Sequence, residues 1–306
     1  MGLYIKAGKG GVGKTTSAVA LALFLSQKRK SRTAVIDYDG GHSVMDTLGL
    51  KSKPEVNTIE QIRPNLSLAV IDNVDFVSIT DFQEQRRTFE EYFEQFPSDN
   101  GILPLCDMIN AFFGVPTDTP TTQKFAVLVS ILLKLEEDGF ENVIIDVEPT
   151  AGFKQLISAA ARTARSIRNL AKTGIVKLAI LNAAWPDIRK YLGSSYINKA
   201  NFYTARIEKA VTMIKDAIFS LVCIPELSPV RQTFEVRKII ENFGGKVSAQ
   251  IVNNIRGDKH ESEAIAVLDN NLPIIKIQND SSIHDENYRE KLLLQIGEMI
   301  ATGLQI

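Results

Sequence analysis

The chain is poor in cysteine. Cys106 and Cys223 are its only two, far apart and in no CxxC pair. That excludes a disulfide scaffold and a cysteine-built zinc site within one chain, and two reduced thiols suit a cytoplasmic protein. The chain also lacks net charge: 35 Lys and Arg against 36 Asp and Glu leave a formal −1. No global field therefore draws it to nucleic acid or to an anionic membrane. It lacks a long apolar run. The longest, around Phe125 to Leu133, falls well short of the roughly 20 residues that cross a bilayer. No basic, apolar leader opens the chain, which enters a strand-like run at once. Repeats, low-complexity tracts and long linkers are missing too. What is present is a 306-residue chain that is 44% hydrophobic, enough for a sizeable core in one large α/β domain or two small ones.

The informative stretch comes early. Leu3-Tyr4-Ile5-Lys6-Ala7 reads as a strand and Ser17 to Leu25 as a helix. Between them lies Gly8-Lys9-Gly10-Gly11-Val12-Gly13-Lys14-Thr15-Thr16, a match to G-x-x-x-x-G-K-[ST] in the strand–loop–helix context that makes the pattern specific. The glycines let backbone N–H groups curl around an anion with no Cβ in the way. The helix N-terminus adds unpaired N–H groups and the positive end of its dipole. In such a loop Lys14 reaches the β- and γ-phosphates and the Thr15 hydroxyl ligates Mg²⁺. The pattern predicts a P-loop NTPase.

A charge at Lys9 is not needed by an ordinary phosphate loop. Lys9-Gly10-Gly11-Val12-Gly13-Lys14-Thr15-Thr16 resembles the deviant Walker A motif of the superfamily that holds ParA, MinD, ArsA and the nitrogenase iron protein. There the extra lysine crosses a dimer interface to the phosphates of the other subunit. The resemblance implies an ATP-dependent homodimer, with Lys9 and Lys14 both acting on phosphate.

Two later segments narrow the resemblance. Thr33-Ala34-Val35-Ile36-Asp37 reads as a strand buried on both faces. Ligands gather at the carboxyl ends of such strands, so Asp37 and Asp39 are expected near the γ-phosphate, with Asp39 orienting the attacking water. Asp39-Gly40-Gly41-His42-Ser43-Val44-Met45-Asp46 is similar to the ArsA-family segment D-P-A-H-S-L-S-D, with Gly40-Gly41 in place of Pro-Ala. Asn142-Val143-Ile144-Ile145-Asp146 reads as a strand ending in the Walker B aspartate. Asp146 is expected to hold Mg²⁺, through a water. The following Val147-Glu148-Pro149-Thr150-Ala151-Gly152-Phe153 is similar to the family's D-T-A-P-T-G-H-T switch, with the glycine displaced by one residue and Phe153 near the place of the histidine.

Two more site residues come from the resemblance. The strand Ala217 to Ile224 runs into Pro225-Glu226-Leu227-Ser228, and a long amphipathic helix is expected from Gln232-Thr233. Family members carry P-E-x-x-S here, with the glutamate facing the nucleotide, which makes Glu226 a candidate beside a plain capping role. The strand Ser248 to Asn254 ends in two asparagines. In the superfamily an asparagine here reads the adenine edge; Asn253 aligns with it, with Asn254 as the alternative.

The rest of the chain sets the architecture. Leu66 to Asp72 and Ile274 to Ile277 read as further strands. Asp81 to Phe96, Leu103 to Phe113, Phe125 to Leu135, Ser158 to Lys172, Asn201 to Asp216 and Tyr288 to Ile306 read as helices. Gly174 to Pro186 fits either. The expected fold is α/β, a doubly wound mostly parallel sheet in one domain over 1–306, with helical insertions near 75–138 and 153–216. The last helix lacks a basic face, so it is expected to pack on the sheet. Arg162, Arg165, Arg168 and Lys172 share one helix face, which suits either solvent or an acidic or nucleic-acid contact.

Together these readings predict a Mg·ATP-dependent switch that opens and closes a homodimer and handles a protein client or membrane partner. Metalloid transport would need clustered soft thiolates, which two distant cysteines do not supply. A partitioning or positioning ATPase that binds DNA or a membrane-associated partner is the alternative from another class; this chain lacks the P-Q of the partition group's second segment.

Overall fold

The computed structural model describes residues 1–40, 43–52, 54–72, 120–147, 149–162, 164–165 and 194–306. Its strands are β1 (Gly2–Ala7), β2 (Thr33–Asp37), β3 (Glu60–Arg63), β4 (Leu66–Val70), β5 (Asn142–Asp146), β6 (Ile218–Cys223), β7 (Lys246–Ile255) and β8 (Ile274–Gln278). They form one sheet in the order β3-β4-β2-β5-β1-β6-β7-β8. Neighbours pair in parallel except β3 and β4. The mostly parallel, doubly wound expectation holds. β3 was not expected. It is an antiparallel edge strand, polar except for Ile62 and half-buried or exposed throughout, so it carries no apolar alternation to find.

The helices are α1 (Lys14–Leu23), α2 (Ser43–Leu48), α3 (Pro120–Glu137), α4 (150–162), α5 (Ser194–Lys215), α6 (Leu227–Phe243), α7 (Lys259–Ala266) and α8 (Glu286–Leu304). α1, α2 and α8 cover one face of the sheet, burying Val19, Leu23, Val44 and Ile296 against Val35, Leu68 and Ile144. α3 to α6 cover the other, burying Leu128, Leu132, Phe153, Ile214 and Ile240 against Ile5, Ile36 and Ile145. With both faces covered, β2 and β4 are buried at every residue and β5 at all but its first.

Two sequence expectations are corrected. The helix after β5 starts at residue 150, not Ser158, because Pro149 begins the turn: its carbonyl accepts from the Gly152 and Phe153 amides. Phe153 is thereby carried into the core, edge-on to Phe219 with ring centroids 6.3 Å apart. α6 starts at Leu227, not Gln232. Pro229 lies in its first turn, where a missing N–H costs nothing. α8 packs over the sheet as expected, and it crosses α1 on the way. A Cβ on Gly297 would sit 2.1 Å from the Ala20 carbonyl oxygen, so only glycine permits this crossing. α8 then ends against Ile275 of β8, which a Cβ on Gly303 would meet at 2.5 Å.

The expected helices Asp81–Phe96 and Leu103–Phe113, the stretch Gly174–Pro186, and Arg168 and Lys172 of the basic stripe lie outside the described residues. Arg162 and Arg165 are exposed. Among the described residues, no helix is long and apolar enough to cross a membrane.

Candidate active site

The site is built at the carboxyl ends of the central strands β2, β5 and β1. The loop from Gly8 to Gly13 leaves β1 and turns into α1. A Cβ on Gly8 would lie 2.1 Å from the Val222 carbonyl oxygen on β6, so the loop is pressed against the next strand. Gly13 is the α1 N-cap with φ 92°, a left-handed conformation suited to glycine. The first bonds into α1 come from Ser17, whose N–H and hydroxyl both donate to the Gly13 carbonyl at 3.0 and 2.8 Å. The amides of Lys14, Thr15 and Thr16 precede that bond and have no partner within the helix. A Cβ on Gly11 would meet nothing within 4 Å, which marks the open side of the loop. The Gly8, Gly10, Gly11, Val12, Gly13, Lys14, Thr15 and Thr16 backbone is thus a cradle shaped for an anion.

Lys14 is buried, and its ammonium donates to the Lys9 carbonyl at 2.9 Å. Burial pulls its pKa down, opposed by the negative charges of Asp146 and Asp39. The Lys9 side chain is exposed.

The Thr15 hydroxyl donates to Asp146 Oδ2 at 2.7 Å. Sequence reasoning named these two residues as the metal pair, and the fold places them side by side. Asp146 is buried, which pushes its pKa up to about 6; the Thr15 hydrogen bond and the Lys14 charge pull the other way. Among the described residues, three buried side-chain polar atoms have no hydrogen-bond partner: Asp146 Oδ1, Thr150 Oγ1 and Asp37 Oδ2. Asp37 ends β2 and is the Cα partner of Asp146 on β5. Burial, reinforced by the Asp146 charge, pushes its pKa up to about 7. Unsatisfied buried oxygens are rare because each costs ~1–3 kcal/mol. An all-oxygen set of this kind suits Mg²⁺. Among the described residues no cluster of three or more His, Cys, Asp or Glu could hold a metal by itself. A cation here would therefore complete its shell with phosphate oxygens and water.

The two segments similar to the family's switches touch this centre. Gly40 donates its N–H to Asp37 Oδ1 at 3.1 Å and adopts φ 69°. Proline, fixed near −65°, cannot take that conformation. Gly40 in the place of the family's proline therefore goes with a different course of the turn. Asp39, just before it, is exposed. In the second segment, a Cβ on Gly10 would sit 3.5 Å from Pro149 Cγ, which puts that proline against the phosphate loop.

Asn253 lies against the same loop. Its Nδ2 donates to the Val12 carbonyl at 3.1 Å, and a Cβ on Gly13 would meet that Nδ2 at 2.1 Å. Asn254 is half-buried with φ 63°. Just beyond, the Arg256, Gly257 and Asp258 amides all donate to the Glu261 carboxylate at 2.7 to 3.1 Å, so this loop is held from within. Glu226 is exposed at the N-cap of α6; its side chain makes no cap bond, and its carbonyl accepts from Val230 N–H at 3.1 Å. Cys223 is buried, which pushes its thiol up to about 12 and leaves it unreactive.

A parallel sheet whose first strand feeds a glycine loop and a Lys-Thr helix start, beside a strand-end aspartate bonded to that threonine, defines a P-loop nucleotide-binding ATPase. The chain belongs to the ArsA ATPase family, whose model, described as anion-transporting ATPase, matches residues 1–289. It is 22% identical over 261 residues to an ATPase ASNA1 homolog of Entamoeba dispar, covering 81% of this chain and 74% of that one. It is 24% identical over 270 residues to a protein of Aquifex aeolicus named as an arsenical pump-driving ATPase, covering 86% and 83%. The ATPase get3 of Neurospora crassa is 25% identical over 271 residues, covering 84% and 74%.

Two residues of the centre stood outside the site expected from sequence. The sequence places Thr150 only within the family pattern, and its buried hydroxyl depends on where α4 begins. Lys6 was read as one residue of a strand. It is fully buried on β1, with Asp146 and Ser220 as its Cα partners on either side. No sequence signal separates a lysine in a central strand from one at a sheet edge.

Proposed function

We propose that this ATPase is a Mg·ATP-driven switch that works as a homodimer, closing on ATP and reopening after hydrolysis to hold and release a protein client. The observation that carries the chemistry is the Thr15–Asp146 hydrogen bond at the end of the phosphate loop, with the other oxygen of Asp146 buried and unpartnered. In this reading the loop amides from Gly8 to Thr16 hold the phosphates, and Lys14 leaves the Lys9 carbonyl for the β- and γ-oxygens. Thr15 and Asp146 would hold Mg²⁺, which neutralises charge developing on the phosphates. Asp39 accepts a hydrogen bond from the attacking water; its exposure lets the water reach it. Lys9, exposed on the rim, extends to the phosphates bound by the other subunit. Glu226 borders the nucleotide. The dimer and its cycle rest on the Lys9 pattern and on the two switch segments lying against the site. Nucleic acid is not favoured as a partner, because the chain is near neutral.

The test is molar mass by light scattering with and without Mg·ATP, together with phosphate release, on the parent chain, Lys9→Ala and Asp39→Asn. The expected result is a compact dimer with Mg·ATP, trapped by Asp39→Asn with turnover lost and abolished by Lys9→Ala. Mass and compactness that ignore nucleotide in all three proteins would refute the dimeric switch.

Asn253 is assigned to the base. One Nδ2 proton is used on Val12, leaving the other and Oδ1 for the N7 and N6 edge of adenine. Such an amide pairing is worth ~1–3 kcal/mol of discrimination. Asn253→Ala is therefore expected to raise KM for ATP at least tenfold with kcat little changed, and to narrow the preference for ATP over GTP. An unchanged KM ratio between the two nucleotides would remove the assignment.

A further inference from the structure

We propose that Asp37 is a third protein anchor of the metal, beside Thr15 and Asp146. This rests on the Mg·ATP reading of the site and extends it to a residue from a different strand.

The argument begins with register. Asp37 and Asp146 are Cα partners in the adjacent parallel strands β2 and β5. Register partners leave a sheet on the same face, with strands about 4.8 Å apart. Both residues are buried, at 1% and 2% exposure. Each carboxylate has one oxygen committed locally: Asp37 Oδ1 accepts the Gly40 N–H, and Asp146 Oδ2 accepts the Thr15 hydroxyl. Each has one oxygen left without a partner among the described residues, and the third such atom, Thr150 Oγ1, follows Asp146 by four residues.

Two adjacent buried carboxylates, each with a free oxygen, repel one another and lack compensating bonds. Two cations lie near, and both are directed elsewhere: Lys14 at the Lys9 carbonyl, and Lys6, the register partner of Asp146 on β1, at the Ser220 hydroxyl. A hydrated divalent cation next to Thr15 would resolve both deficits, by supplying positive charge and donors for the two free oxygens. The carboxylates then divide the work by burial. Asp37 and Asp146 would hold the cation, while exposed Asp39 is left for the attacking water.

The substitution that isolates this role is Asp37→Asn. Asparagine keeps an oxygen for the Gly40 amide and removes the charge at the free position. Free Mn²⁺ is followed by electron paramagnetic resonance during titration into protein saturated with ADP, for the parent chain, Asp37→Asn and, as comparator, Asp146→Asn. ADP affinity is measured separately in EDTA. Loss of an outer-shell partner weakens metal binding about 10- to 100-fold. Asp37→Asn is expected to lose Mn²⁺ affinity in that range, as Asp146→Asn does, while its metal-free ADP affinity stays within about twofold. Parent-like Mn²⁺ affinity in Asp37→Asn, with Asp146→Asn weakened, overturns the assignment and leaves the Mg·ATP reading intact. An equal loss of metal-free ADP affinity overturns it too, by showing that Asp37 serves the fold of the loop. A parent protein that holds Mn²⁺ no better than ADP alone in solution removes the underlying reading itself.

Discussion

A Lys6→Met variant is expected to unfold with on the order of 4 kcal/mol more free energy than the parent chain at pH 7. Lys6 has no exposed surface, and its ammonium donates to the Ser220 hydroxyl at 3.1 Å. Burial pulls its pKa from the ordinary 10.5 down to about 7. The folded value lies below the unfolded one, so between pH 7 and 10.5 the unfolded chain holds a proton that the folded chain releases. Stability therefore rises with pH through that window, and the full cost of the charge is present below it. At about 1.4 kcal/mol for each tenfold, the gap gives the stated magnitude. Methionine keeps an unbranched stem of similar length and has no charge to bury. The measurement is denaturant unfolding of both proteins from pH 8.5 to 10, above the range in which Asp37 and Asp146 titrate. The parent should gain stability with pH and converge on the variant. Parallel curves would show that Lys6 is not held neutral by burial.

Gly8→Ala should cost about 100-fold in kcat/KM for ATP. The new Cβ would meet the Val222 carbonyl oxygen at 2.1 Å. Val222 is held in β6 and paired in register with Ile251 of β7. Main chain inside a close-packed sheet does not yield, so the loop must rise by about 1 Å. A displacement of that size at a site that works by positioning costs roughly 100-fold, and the overpacking itself costs ~1–3 kcal/mol of stability. Gly11→Ala is the contrast. Its Cβ enters open space, and the strain of φ 75° alone costs about 1 kcal/mol. Thermal unfolding and titration with a fluorescent ATP analogue separate the two. Parent-like binding in Gly8→Ala would show that the loop is not pressed against β6.

The sequence by itself determined the parts of this protein that are local. The strand, glycine loop and Lys14-Thr15 helix start are contiguous, and each residue type has a backbone reason to be there. The Val143-Ile144-Ile145-Asp146 run declares a buried strand with a carboxylate at its end. The alternation of strands and helices was legible because the periods 2 and 3.6 are written in consecutive residues. Edge strand β3 was not, because a polar edge has no apolar stripe. The starts of α4 and α6 lie earlier than the expected Ser158 and Gln232, because a proline before a helix or in its first turn, as at Pro149 and Pro229, is compatible with it.

Only the tertiary structure decided which distant residues meet. The order β2-β5-β1-β6 sets Asp37, Asp146, Lys6 and Ser220 in register across four neighbouring strands. That row turns two strand-end aspartates into neighbours with a free oxygen each, and it buries a lysine between apolar layers. The same packing brings Asn253 onto Val12 and α8 across Ala20. Strand order and helix crossing arise from how whole faces fill space against one another, and no window of consecutive residues contains that information.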